Sequence, residues 1–297
     1  MDFSQIPATF GRQALFVVIS VFLIWIAKII ADRRTTEFND DIQIDNGNRA
    51  VGFRRAGFYL SIAIALSGAL SGVSRGILMD TAWLLMDGAL ILVCLFVSRF
   101  LNDRIMLATI DNDAECMRLF KHRSGGIKEK GNTAVGIVEC GMYIATGFIL
   151  SGSLSGASVS MTESILSTLL FFGMGQAALL LFGFLYQLIT AFNVRDQIKA
   201  NNPAAGIGLA GMLIALGIIL FASIRGPFTG WVSDITSFGI YTAYGMVMLI
   251  IFRFVIDRLL LPTTNLAVEI TEDRNTAALV VAESAIVAVA IIIAFSM

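Results

Sequence analysis

Eight long apolar runs alternate with short charged stretches along this chain. They fall near residues 14–31, 51–72, 82–101, 133–152, 164–190, 204–223, 235–256 and 276–296. A helix of about 20 residues crosses a hydrocarbon core of roughly 30 Å. Lipid offers no partner to an open backbone, so each run is predicted to be a membrane helix. Four of the runs open on one recurring phrase: Asn48-Arg-Ala-Val-Gly, Asn132-Thr-Ala-Val-Gly, Asn202-Pro-Ala-Ala-Gly and Asn275-Thr-Ala-Ala-Leu. Each of these follows a run that ends in charge. The repeating unit is therefore a helical hairpin, present four times.

A larger repeat contains the smaller one. Shifted by 154 residues, the chain matches itself without a gap: Phe38-Asn39 falls on Phe192-Asn193, Gly52 and Gly57 on Gly206 and Gly211, and Asp80 on Asp234. Arg99, Asp103 and Arg104 fall on Arg253, Asp257 and Arg258. The expected fold is an all-α membrane protein of eight transmembrane helices in two tandem four-helix halves, residues 1–156 and 157–297. Because every repeat holds an even number of helices, the copies enter the membrane in the same direction. This predicts parallel pseudo-symmetry about the membrane normal rather than an inverted repeat.

Composition agrees with the pattern. The chain has 297 residues, 57% hydrophobic and 14% charged, and a mean hydropathy of +0.80; a soluble globule carries about 25% charged residues. Of the 21 Lys and Arg, all but Arg12, Arg75 and Arg225 lie in or beside the odd-numbered loops. The positive-inside rule makes those loops cytoplasmic and both termini periplasmic. Asp2 and the absence of a small-residue cleavage site argue against reading the first run as a signal peptide. The net charge of -1 points to no particular partner, and nothing suggests nucleic acid.

Asn48, Asn132, Asn202 and Asn275 each precede an even-numbered helix. Asn is among the best N-caps, and Pro203 stands at a favoured first helical position. A second reading of the same residues is that four helix N-termini offer their positive dipole ends to an anion. Small residues four apart follow: Gly52 and Ala56, Gly136 and Cys140, Gly206 and Ala210. Such pairs let helices approach closely in lipid. In the fourth repeat Leu279 and Glu283 break the rule.

Glu283 is thus an acid where its sister helices hold Ala56, Cys140 and Ala210. Glu139 sits one position earlier in the second repeat, and Asp87 lies inside the third run. Ionisable groups at such depth are costly and mark pathways, so Asp87, Glu139 and Glu283 are the intramembrane polar or proton-accepting candidates. The alternative is an interhelical hydrogen bond, or pairing with Arg54 or Arg55. The odd helices end in a second pattern: Lys28-x3-Asp32-Arg33, Arg99-x3-Asp103-Arg104 and Arg253-x3-Asp257-Arg258. The cation precedes the acid, the poorer order for a local pair, which favours partners on neighbouring helices or lipid phosphates. These nine residues are boundary anchors or a charged cytoplasmic mouth.

Residues 105–130 form the largest polar segment. Ile110, Ala114 and Met117 follow helical spacing ahead of the basic Arg118, Lys121, His122 and Arg123. The segment reads as an interfacial helix, a docking surface for a cytosolic protein, or a helical extension. His122 is the single histidine, and Cys94, Cys116 and Cys140 are isolated, so no metal site, cofactor or disulfide framework is expected. No phosphate loop, zinc-protease motif or nucleophile elbow occurs.

The segment Phe192-Asn-Val-Arg-Asp-Gln-Ile-Lys-Ala-Asn-Asn-Pro-Ala-Ala-Gly-Ile, with Glu272-Asp-Arg-Asn-Thr-Ala-Ala, resembles the YjfL-like bacterial inner-membrane proteins, classed as domain of unknown function 350. Residues of about 160–297 resemble one whole four-helix member, and about 10–156 a more diverged second copy. The resemblance implies a bacterial inner-membrane location and brings no catalytic residue. The reading is non-enzymatic: movement of a small solute or ion through the bundle, or a scaffold that docks cytosolic or lipid-modifying partners. The lipid bilayer and a second copy of the chain are the other expected partners.

Overall fold

The computed structural model describes residues 6–34, 38–72, 74–121, 127–156, 160–226, 228–260 and 265–297. Four long helices carry the repeated Asn: α3 (Arg49–Ala69), α6 (Thr133–Leu154), α9 (Pro203–Ile224) and α12 (Thr276–Ser296). Before each comes a long helix, respectively α1 (Ile6–Arg34), α4 (Ile77–Leu101), α7 (Met161–Ile189) and α10 (Trp231–Leu260). Between the two lies a six-residue helix: α2 (Asp40–Asp45), α5 (Asn112–Met117), α8 (Val194–Lys199) and α11 (Leu266–Thr271). Each repeat is therefore long helix, short helix, long helix.

The four Asn-capped helices pack side by side in one row, α3 on α6, α6 on α9, and α9 on α12. The other long helices sit against the row. α4 packs on α3 and α6, α7 on α6 and α9, and α10 on α9 and α12, while α1 packs on α3 and α4. The row is tight because glycines face backbone. A Cβ on Gly206 would lie 2.9 Å from the Ala134 carbonyl oxygen, and one on Gly217 would lie 2.7 Å from the Ala145 Cα. Gly136 meets Ala50, and Gly147 meets Ser61, in the same manner one repeat earlier. α6 is the centre of the molecule, buried on nearly every side.

Seven helices among the described residues are long and apolar enough to cross a membrane: α1, α4, α6, α7, α9, α10 and α12. Residues 51–72, read as a crossing from the sequence, are helical in α3, but Arg49, Arg54 and Arg55 lie in its first two turns and it is not one of the seven.

The segment 105–130 is not one interfacial helix. A π-helical turn (Asn102–Met106) ends α4, α5 follows, and then strands β1 (Leu119–Lys121) and β2 (Ile127–Lys130) pair antiparallel. This small hairpin is the departure from an all-α chain. Ile110 and Cys116 are buried, so the segment is folded onto the bundle. His122 and Arg123 lie outside the described residues.

Candidate functional site

Each repeated Asn does two jobs. Its Oδ1 accepts a hydrogen bond from a free helical N–H, at Val51 (3.3 Å), Val135 (3.2 Å), Ala204 (3.1 Å), and Ala277 and Ala278 (3.1 and 3.2 Å). In the first three, the Nδ2 also reaches into the next repeat. Asn48 donates to the Cys116 carbonyl (2.8 Å), Asn132 to Ile198 (2.9 Å) and Asn202 to Ile270 (2.6 Å). The short helices α5, α8 and α11 thus supply one carbonyl each to the preceding cap. The second Nδ2 hydrogen goes to Gln43, Glu115, Gln197 or Glu269. The four N-termini lie along the row and are occupied by these side chains, which does not leave them converging on an anion.

The charged helix ends form a network at one end of the first half. Lys28 donates to Asp32 (2.8 Å) and to Asp41 (2.6 Å). Arg55 pairs with Asp32 and Asp40. Arg54 bridges Asp40 (3.1 Å) and Asp113 (2.7 Å), and Arg99 also reaches Asp113 (2.6 Å). Asp103 accepts from the Asn112 amide at 2.5 Å and lies 3.7 Å from Arg99. In the second half, Asp257 accepts the Leu266 N–H at 2.8 Å. Hence the repeated cation and acid chiefly hold the elements that follow them, although Lys28 with Asp32 and Arg99 with Asp103 also form the local pair. Arg33, Arg104 and Arg258 are exposed. The network was only half legible in sequence: Asp40 and Asp41 lie on a short helix that no apolar period announces, and the helical spacing around Asp113 did not show which arginines it meets.

Glu139 on α6 is buried at 2% exposure, and neither carboxylate oxygen has a hydrogen-bond partner in the protein. It lines a tight crevice, too narrow for a water molecule, with Ser98, Arg99, Asn102, Met142 and Tyr143. Glu283 has a different setting. It pairs with Arg253, whose Nη2 also donates to the Tyr186 hydroxyl at 3.0 Å. The Arg253 guanidinium lies 4.9 Å from the Tyr186 ring centroid. Arg54 and Arg55 pair with aspartates, not with Glu283 or Glu139.

Asp87 is not brought to either glutamate. It precedes Arg99 by three helical turns, about 18 Å at 1.5 Å per residue, and lines a cleft at the opposite end with Arg12, Arg75, Asp80, Trp83 and Ser164. Between the two ends runs a set of buried polar side chains that sequence reasoning missed. Gln176 on α7 donates to Thr146 on α6 (3.0 Å), and Thr146 shares a hydrogen bond with Ser98 on α4 (2.8 Å). Thr168 is fully buried and its Oγ1 has no partner in the protein. Ser164, Thr168 and Gln176 share one face of α7, at intervals of one and two turns. That spacing within an apolar run was the available signal.

Outside the membrane helices, burial pushes the Cys116 thiol well above its ordinary range. The three cysteines are free, and no cluster of metal-binding side chains occurs among the described residues.

Stacked hairpins of apolar helix, joined by short helices and tied through Asn caps, define a multi-pass transmembrane protein built from tandem repeats. The chain belongs to the family Domain of Unknown Function (DUF350), which it matches twice in tandem, over residues 5–156 and 160–297. It is also similar to a UPF0719 transmembrane protein of Aquifex aeolicus (strain VF5), 22% identical over 236 residues that cover 79% of this chain and 81% of that protein. No solved structure matches it.

Proposed function

We propose that this protein conducts protons, or another ion of similar size, along the polar seam between α4, α6 and α7. The observation that carries the reading is the line of buried polar groups from Ser164 through Thr168, Gln176, Thr146 and Ser98 to Glu139. Such groups are expensive in a membrane interior and usually mark a path. Asp87 stands at one mouth. Glu139 is the proton-accepting group near the other, in a crevice shared with Arg99 of the charged network. The crevice beside Glu139 is too narrow for a water molecule, which favours proton transfer between side chains over passage of a solute. Glu283 is outside the seam and serves as the counter-ion of Arg253.

This reading takes α3 as the eighth crossing, since it runs beside α6 for its whole length, and takes the four hairpins as parallel copies in two halves. It places the protein in a bacterial inner membrane with the basic helix ends in the cytoplasm and both termini outside. The docking role for residues 105–130 has less support. Asp113 and the Cys116 carbonyl in that segment hold Arg54, Arg99 and Asn48, so it is a structural part of the bundle.

The test is flux in proteoliposomes, with a pH-reporting dye inside and an imposed ion gradient. Glu139→Gln and Gln176→Leu should each lower proton flux at least tenfold, while Glu283→Gln in folded protein should not. Unchanged flux in both seam variants, or no flux from folded, inserted wild type, overturns the proposal.

A further inference from the structure

The row of Asn-capped helices uses one directed interface three times. Counting from each Asn, the residue four positions on packs against the residue two positions on in the previous repeat. Gly136 meets Ala50, and Gly206 meets Ala134. Fifteen positions on, Gly147 meets Ser61 and Gly217 meets Ala145. In the other direction, the residue nine positions on meets the residue eight positions on in the next repeat: Gly57 with Cys140, Gly141 with Ala210, Gly211 with Glu283. Twenty positions on, Gly68 meets Ser151 and Gly152 meets Phe221.

The two ends of the row hold the two unused halves of this interface. On α3, the backward-facing residues are Gly52, Ala56, Ala63 and Ser67. Ala56, Ala63 and Ser67 are exposed, and nothing lies within 4 Å of where a Cβ on Gly52 would be. On α12, the forward-facing residues are Ala277, Ser284, Ala288 and Phe295, all exposed. The equivalent alanines inside the row, Ala50, Ala134 and Ala204, are buried.

Two further features stop at the same ends. The Nδ2 of Asn275 binds Glu269, whereas the Nδ2 of each of the other three caps also donates to a carbonyl of the following repeat. Its counterpart would be the Ile44 carbonyl of α2, which stands where Ile198 and Ile270 receive the amides of Asn132 and Asn202. Likewise α4, α7 and α10 each wedge between two helices of the row, whereas α1 has α3 as its row neighbour. Its Val17, Val18, Val21 and Trp25 are exposed.

We propose that copies of this chain join head to tail, α12 of one against α3 and α1 of the next, continuing the internal repeat. The register is fixed by the internal interface: Ala277 on Gly52, Ser284 on Ala56, Ala288 on Ala63 and Phe295 on Ser67. The Asn275 amide then meets the Ile44 carbonyl of the second copy. Close small-residue packing and an interhelical hydrogen bond are the forces that associate helices in lipid. The contact is heterologous, so it builds a closed ring or an open line, not a two-fold dimer.

Cysteine cross-linking in native membranes tests this. Chains carrying Ala56→Cys, co-expressed with differently tagged chains carrying Ser284→Cys, should give mixed disulfide dimers. Either variant alone should give none, and wild type, whose cysteines lie within the helix bundle, sets the blank. The double variant should give a ladder of multimers. Absence of mixed dimers, self-linking by Ser284→Cys alone, or equal linking between the lipid-facing sites Val232→Cys and Val247→Cys overturns the proposal. As a second measurement, Gly52→Leu should keep the folded monomer, since it displaces nothing within the chain, and should reduce the mass in nanodiscs to that of one copy. A Gly52→Leu protein with the same mass as a multimeric wild type, or a wild type that is itself monomeric, overturns it as well.

Discussion

Arg253 on α10 and Glu283 on α12 form an ion pair inside the helix bundle, with the Tyr186 hydroxyl completing the guanidinium's partners. In the first half, the equivalent Arg99 turns instead to Asp113 on a short helix, and Glu139 is left without a hydrogen bond. One repeated arginine thus closes a structural pair in one half and stands beside a free carboxylate in the other.

Removing one partner of a buried pair costs about 3–5 kcal/mol, because the remaining charge is stranded. Glu283→Ala should therefore destabilise the folded protein by that amount, measured by denaturant unfolding in detergent. Arg253→Leu combined with Glu283→Leu should cost less than Glu283→Ala alone. Additive losses would show that the pair has no coupling energy.

The Asn caps should differ in worth by position. Asn202→Ala removes a helix cap and a buried amide-to-carbonyl bond to Ile270, and should cost about 2–3 kcal/mol. Asn275→Ala removes an exposed cap with no cross-repeat bond and should cost about 1 kcal/mol in a single copy. Equal losses, measured by thermal unfolding of detergent-isolated monomer, would mean that the cross-repeat bonds contribute nothing.

Glycines within the row should tolerate no side chain. Gly217→Val places a Cβ 2.7 Å from the Ala145 Cα, where backbone cannot yield, and should prevent accumulation of folded protein. Gly239→Val and Gly173→Val, whose Cβ positions are open, should accumulate like wild type. Fluorescence-detected size exclusion of tagged variants separates the two outcomes.

Cys116 should be a slow thiol. Its pKa is raised by burial, so at pH 8 its thiolate fraction lies below that of an ordinary cysteine, and the thiolate is the reactive form. Maleimide labelling of Cys116, resolved by peptide mass spectrometry, should be at least about tenfold slower in native than in denatured protein. It should quicken as pH rises. Equal native and denatured rates would place the thiol at the surface.

The sequence by itself determined the repeat, and with it most of the fold. Apolar length gave the long helices, because a backbone in lipid must close its own hydrogen bonds. The Asn phrase marked the starts of α3, α6, α9 and α12, since a free helical N–H needs an acceptor wherever the helix lies. Small residues four apart announced close packing, a property written locally on one helix face. The short helices α2, α8 and α11 were not legible, because six residues carry too little periodicity to stand out; the spacing of Ile110, Ala114 and Met117 pointed to a helix at α5, but nothing announced the paired strands β1 and β2. Only the tertiary structure decided which helix each small face meets, that the four units lie in a row, and that Gln176, Thr146 and Ser98 on three separate helices share one seam. It also separated the two glutamates, giving Glu283 an ion pair with an arginine and leaving Glu139 without one. Partner choice depends on positions brought together across tens to hundreds of residues, and no local pattern encodes that distance.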